Sequence, residues 1–247
     1  MDLPLTRPPR LEMEGTCQRS IRPKEDAPLI LHVDPPSFVA EQFRSLAVHV
    51  EERINPIGTW GYVLTVTSPE EGEGKTLTSL NLALTLTRGE ERRVLLLEGD
   101  LWRPQLHTYF EGLDRGLQGA SGLQQVLDRE LALSDAVIPV EGSSLEVLFA
   151  GATHTAGDKM SGRRMSEVLA EVRAAYEIVV IDSPPMGLLA SARSLAARAD
   201  GVVLVVRAHQ TRKRNVEKAL AALGPDKMVG VVLNGARLSN RGYRGYY

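Results

Sequence analysis

The segment Ser68-Pro-Glu-Glu-Gly-Glu-Gly-Lys-Thr76 is where the sequence is most plainly built for chemistry. Gly72 and Gly74 let the main chain come close to an anion, as only residues without a side chain can. Successive N–H groups, followed by a helix N-terminus, would then face that anion. Lys75 would place a cation beside the outer phosphates of a nucleotide, and the Thr76 hydroxyl is of the type that ligates Mg²⁺. The run from Gly72 through Glu73, Gly74, Lys75 and Thr76 to Leu77 is therefore the candidate cofactor-binding loop. The strict phosphate-loop pattern has Gly at position 69, where this chain has Pro69. Two further segments end in acids. Ile178-Val-Val-Ile-Asp182 is an apolar run closed by a carboxylate that would emerge at the ligand-binding end of a sheet. Leu95-Leu-Leu-Glu98-Gly-Asp100 carries two carboxylates two residues apart, hence on the same side of an extended chain and suited to metal or to accepting a proton. Lys75, Glu98, Asp100 and Asp182 are the candidate catalytic residues, and Thr76, Asp100 and Asp182 the candidate Mg²⁺ ligands.

These groups need a scaffold that brings distant segments to one edge. Strand-like runs occur at 62–67, 93–97, 145–149, 178–181, 202–206 and 228–233. They are continuously apolar, as in strands covered on both faces. Between them lie helical patterns, such as Met165, Val168, Leu169 and Val172, or Leu220 and Leu223. Alternation of this kind implies a doubly wound α/β sheet of about seven mostly parallel strands, the fold of P-loop nucleotide-binding proteins. A helical arm precedes it. Val39, Phe43, Leu46 and Val50 share one face of a helix starting near Ser37 and ended by Pro56 and Gly58. Residues 1–36, rich in Pro and charge, read as a flexible leader, 37–235 as the nucleotide-binding domain, and 236–247 as a flexible tail.

Bulk properties exclude several classes. A formal net charge of −2 gives no basic face for nucleic acid. Cys17 is the only cysteine, so no intrachain disulfide forms. No apolar run approaches the roughly 20 residues needed to span a bilayer, and no signal-peptide pattern opens the chain. The expectation is a cytoplasmic protein that meets a membrane only through a partner. The five histidines are scattered without ligand spacing, and Arg212-Lys-Arg214 reads as a solvated basic face.

Taken together, these motifs resemble the bacterial tyrosine kinases of capsule and exopolysaccharide assembly, which belong to the deviant-Walker ATPases. The resemblance runs from about Phe38 to Tyr247. Residues 67–76 are similar to that family's first Walker motif, 95–104 to its additional one and 176–185 to its Walker B segment. Asn234, closing Val231-Val-Leu-Asn, is similar to an adenine-contacting Asn. Glu41-Gln-Phe-Arg44 resembles the start of the helix that joins subunits into a ring, and Tyr243, Tyr246 and Tyr247 resemble an autophosphorylated cluster. The resemblance implies ATP and Mg²⁺ as cofactors, a ring-like homo-oligomer with tails phosphorylated in trans, and a partner in the cytoplasmic segment of a membrane polysaccharide co-polymerase. The residues agree on the tail. Three of the six tyrosines fall in the last five positions, among glycines and arginines that offer no core. The thirteen residues after Asn234 span at most roughly 43 Å, enough to reach a neighbouring site.

The chain also departs from the family. Glu98 stands where Asp is usual, Trp102 where Arg is usual, and Ala47 where the ring helix usually has a second Arg. Glu70 replaces the signature Lys of partition ATPases. Two other readings therefore stand beside a tyrosine autokinase: a partition-type ATPase switch, and a catalytically degenerate nucleotide-binding scaffold of the same export machinery.

Overall fold

The computed structural model describes residues 20–29, 37–54, 61–88, 92–113, 121–152, 159–187 and 189–236. The apolar runs become strands of one sheet: β1 (Tyr62–Thr67), β2 (Val94–Glu98), β3 (Ile138–Pro139), β4 (Leu145–Leu148), β5 (Ile178–Asp182), β6 (Gly201–Arg207) and β7 (Met228–Asn234). Their spatial order is β3-β4-β2-β5-β1-β6-β7, and every pairing is parallel except β3 with β4. Every residue of β1, β2 and β5 is buried, which is what their unbroken apolar sequences require in a sheet covered on both faces. In β6, Val203 and Val205 join the main core while Val202, Leu204 and Val206 join a second cluster with Met186, Ala192, Ala196 and Ala219. Alternate strand residues point to opposite faces, so the two clusters lie on the two sides of the sheet.

The helices are α1 (Phe38–Ile54), α2 (Lys75–Leu86), α3 (Leu123–Leu127), α4 (Leu133–Ala136), α5 (Arg163–Ala175), α6 (Ala190–Arg198) and α7 (Lys213–Leu223). α1 begins where the Ser37 hydroxyl accepts the Ala40 N–H at 3.0 Å, an N-cap interaction. α5 buries Met165, Val168, Leu169 and Val172, the face its sequence periodicity marks. Among the described residues, no helix is long and apolar enough to cross a membrane.

Four expectations need correction. The short antiparallel edge β3 has no sequence signature, because two residues carry no periodicity. The apolar run of β7 does not mean cover on both faces: β7 is the sheet's other edge, and Val231 and Leu233 are 53% and 60% exposed. On α1 the buried stripe is Ala40, Ala47 and Val50, whereas Val39 is exposed. Phe43 and Leu46 pack partly buried against the core, so the expected face holds except at Val39.

The fourth correction concerns the leader, expected to be flexible over 1–36. Residues 20–29 instead lie along the domain. Ile21 bridges Val140, Pro23 bridges Phe110, and the Ile21 N–H donates to the Pro139 carbonyl at 3.0 Å. Ile21, Ala27 and Leu29 are buried, Leu29 completely. Pro and charge density hid these few apolar anchors. Leu29→Ala is accordingly expected to cost about 2–5 kcal/mol in urea unfolding, as for other buried leucines. A change under about 0.5 kcal/mol, normal for an exposed site, would show the segment to be undocked.

Candidate active site

The strand order decides where the chemistry converges. β5 lies between β1 and β2, and the registers pair Val66 with Asp182 and Asp182 with Glu98. The ends of the three strands therefore stand side by side, with the Gly99 N–H donating to the Asp182 carbonyl at 2.7 Å. The phosphate loop follows β1 and opens α2 at Lys75. Gly74 precedes that helix with φ 91°, and a Cβ there would also collide with the Asn234 amide nitrogen. Glycine is therefore required twice over at this position.

The loop is braced from below and from the side. Glu73 is 2% exposed, and its carboxylate accepts the Glu70 N–H at 3.0 Å and the Thr211 hydroxyl. Asn234 donates its side-chain amide to the Glu73 carbonyl at 2.8 Å. Arg207 donates to the Gly72 carbonyl at 3.3 Å. The Glu73 side chain thus faces inward and holds the loop. Only its backbone remains available to a phosphate, which narrows the cofactor-binding role expected of it. One N–H of the Asn234 amide is likewise used on the loop, leaving its second N–H and its carbonyl oxygen for a ligand.

Above the loop is a cavity of about 680 Å³. Gly72, Gly74, Lys75, Thr76, Leu77, Asp100, Trp102, Arg103 and Tyr109 line it. Asp182 sits immediately behind, 1% exposed, with its carboxylate hydrogen-bonded by Thr76 and by the Ser79 hydroxyl at 3.3 Å. Burial pushes the Asp182 carboxyl up to about 6, against the opposing pull of Thr76 and Lys75. Burial also raises Asp100, whose Oδ1 accepts the Trp102 and Arg103 N–H groups at 3.2 and 3.1 Å. Two desolvated carboxylates around one ammonium form a donor set that a divalent cation would complete, with Thr76 as the neutral oxygen ligand. Among the described residues, no cluster of three or more His, Cys, Asp and Glu side chains is assembled for a metal. An ion here would take the rest of its shell from phosphate and water, as Mg²⁺ usually does.

Glu98 is placed differently from its expected role. It is fully buried and absent from the cavity wall. Its Oε1 accepts the Leu106 N–H at 2.7 Å and its Oε2 the Ala150 N–H at 2.9 Å. Burial, with a smaller contribution from the Asp182 charge, pushes its carboxyl up to about 7. Strand alternation places Glu98 and Asp100 on one side, but Glu98 turns into the protein. There it ties the segment after β2 to the end of β4. The longer side chain compared with Asp serves this bracing reach.

Other residues went unrecognised in the sequence. Tyr109 and Arg103 line the cavity, and Thr211 and Arg207 hold the loop, yet each is a single residue in an irregular segment without pattern. Trp102, noted only as a departure, is an exposed wall of the cavity. Glu41 and Arg44 form an exposed ion pair with each other on α1, while Ala47 is buried against the domain. Tyr243, Tyr246 and Tyr247 lie outside the described residues.

This arrangement matches known proteins. The AAA domain family matches residues 62–223. The tyrosine-protein kinase YwqD of Bacillus subtilis strain 168 is 32% identical over 222 residues, covering 89% of this chain and 90% of that protein. The chain belongs to the bacterial tyrosine kinases. Two solved structures agree. The BceF tyrosine kinase domain superposes with TM-score 0.73 at 25% identity, over 85% of this chain and 82% of that one. The chimerical protein CapA2B2 superposes with TM-score 0.72 at 25% identity, over 86% and 92%. The chain is thus a protein-tyrosine kinase built on a P-loop fold, and a partition-type switch is the weaker reading.

Two variants test the site. Lys75→Met keeps the packing of the lysine stem and removes its charge. It is expected to weaken ATP binding by roughly 10- to 100-fold in titration calorimetry, with an unchanged melting curve. Glu98→Ala leaves two buried amides without an acceptor and should cost about 2–5 kcal/mol of stability. Glu98→Gln keeps one acceptor, should cost about 1–3 kcal/mol by setting its NH2 against the other amide, and once folded should keep its phosphorylation rate within about 10-fold. A loss of roughly 10²-fold in a stably folded Glu98→Gln would return Glu98 to the chemistry itself.

Proposed function

We propose that this kinase transfers the γ-phosphoryl group of Mg·ATP to Tyr243, Tyr246 and Tyr247 on neighbouring copies of the chain. The reaction would serve exopolysaccharide synthesis or export. The observation that carries this reading is the convergence of Lys75, Thr76 and Asp100 on one cavity, with Asp182 bonded to Thr76 behind it. When bound, Mg·ATP supplies the electrophilic phosphoryl group and the metal charge that neutralises it. The protein's part is positioning and charge compensation. The loop N–H groups and Lys75 hold phosphate oxygens. Thr76 and Asp182 orient the metal's ligand shell. Asp100 lines the cavity and is the carboxylate placed to share in that shell or to take the tyrosine proton. Glu98 acts through the backbone it braces. Tyr62 and Tyr176 are 3% and 2% exposed and locked in the core, and Tyr109 is held in a 3-10 turn of the cavity wall, so the acceptors are taken to be the tail tyrosines.

Neighbouring copies would meet through the exposed face of α1 bearing Glu41 and Arg44. The chain would act at the cytoplasmic side of a membrane, recruited and stimulated by the cytoplasmic segment of a separate polysaccharide co-polymerase. That assignment rests on the family to which the chain belongs.

The test is to incubate the purified chain with Mg·ATP and map phosphate by mass spectrometry. Phosphate is expected on Tyr243, Tyr246 or Tyr247 and not on Tyr62 or Tyr176. Mixing a Lys75→Met chain with a Tyr-to-Phe tail variant should still label the Lys75→Met tails, since transfer is in trans. ATP binding without any tyrosine phosphate would instead identify a nucleotide-binding scaffold.

A further inference from the structure

A second cavity, of about 550 Å³, adjoins the phosphate loop on the side of α6 and α7. Its walls differ in charge. The loop contributes Glu70 and Glu71, and Glu71 also lines the nucleotide cavity, so the two spaces share a lip. α6 contributes Arg193, α7 contributes Lys218, and Met186 and Ala222 add apolar surface. The two acids already have partners. Asn215 donates to Glu70, and Arg103 pairs with Glu71. Arg193 and Lys218 have no ion-pair partner among the described residues. What the cavity lacks is therefore an anion, presented beside an apolar group.

The sequence that follows β7 offers a match. β7 ends at Asn234, which touches the same loop, and eleven residues follow Ala236, spanning at most roughly 36 Å. They contain a repeat, Arg241-Gly-Tyr243 then Arg244-Gly-Tyr246, with arginine two residues ahead of each tyrosine. Residues 237–247 hold three arginines and no acid, so Arg193 and Lys218 repel this segment as synthesised. Phosphorylation adds about −1.5 to −2 charges per tyrosine and reverses the sign at alternating positions.

We infer that this cavity is a receptor for the phosphorylated last segment, read as Arg-Gly-phosphotyrosine. The phosphate meets Arg193 and Lys218 in charge-assisted hydrogen bonds. The ring lies against Met186 and Ala222. The preceding arginine exchanges into the acidic lip at Glu70 and Glu71, where the exposed Glu71–Arg103 pair, worth about 0–1 kcal/mol, gives way at little cost. A modified segment is thereby held beside the nucleotide cavity and out of the acceptor position. The inference rests on the proposal that the tail tyrosines are the acceptors.

The experiment uses the full chain with Tyr243, Tyr246 and Tyr247 each replaced by Phe, and a fluorescein-labelled peptide Arg-Gly-phosphoTyr-Arg-Gly-Tyr-Tyr, followed by anisotropy. The phosphopeptide should bind at least roughly 10-fold more tightly than its unphosphorylated form. Arg193→Ala with Lys218→Ala should remove that difference, and saturating Mg·ADP should leave binding unchanged. Lys218→Glu is the second variant, should the double one fail to fold. Equal binding of the two peptides would overturn the inference. So would displacement by Mg·ADP, which would place the peptide in the nucleotide cavity. Binding of inorganic phosphate or free phosphotyrosine as tight as that of the peptide would reduce the cavity to a plain anion site and overturn the receptor. Because the phosphopeptide is synthetic, a chain that binds it but phosphorylates no tyrosine refutes the proposed function and leaves this receptor standing.

Discussion

The structure depends on β5 lying between β1 and β2. A phosphate loop after β1 is only a turn with glycines until a carboxylate stands beside it, and that carboxylate comes from about a hundred residues further along the chain. The parallel registers do the work: Val66 beside Asp182, and Asp182 beside Glu98. A slip of one residue in either pairing would turn every side chain of that strand to the opposite face. Burial on both faces forbids such a slip, because it would leave an aspartate among Val and Ile side chains with no hydroxyl to receive it. The apolar sequences of these strands are thus what fixes the spacing of the polar groups at their ends.

The two buried acids at that edge are stabilised by different means. Glu98 rests on backbone N–H groups, which cannot leave, and holds two segments together. Asp182 rests on hydroxyls and a lysine, which can turn toward a ligand. An immobile acid next to an adaptable one is a sensible division of labour for a site that must accept and release a highly charged molecule. The first keeps the frame rigid, so that the second can exchange partners without the sheet edge opening.

Legibility in the sequence followed periodicity and motif. Six strands, α5 and the loop from Gly72 to Leu77 were readable, because each is either a long apolar run or a spacing of special residues. Asp182 and Asp100 were readable as strand-end acids, and the structure puts Asp100 on the cavity wall and Asp182, buried, against Thr76 behind it. What escaped was set by packing. Whether Glu98 faces solvent or the interior depends on where the N–H groups of Leu106 and Ala150 lie, and no local pattern encodes that. Glu73 looked like part of a ligand loop because its inward partner, Thr211, is 138 residues away. Val39 is exposed and Ala47 buried because the position of the contact stripe on α1 depends on the surface it packs against, which the α1 sequence alone does not encode. The docked segment at 20–29 was masked by its prolines, although Ile21 and Lys24 donate their N–H groups to the Pro139 and Tyr109 carbonyls of the domain.

The close fit of Gly74 to Asn234 couples two distant positions mechanically. A side chain at 74 would strike the amide at 234, and a shorter residue at 234 would leave the Glu73 carbonyl without its donor. Neither position can be changed alone without loss, so only a paired substitution could preserve the fit. The two sites, 160 residues apart in the chain, therefore behave as one mechanical unit. Room to retune nucleotide handling lies instead at the exposed walls of the cavity, such as Trp102 and Arg103.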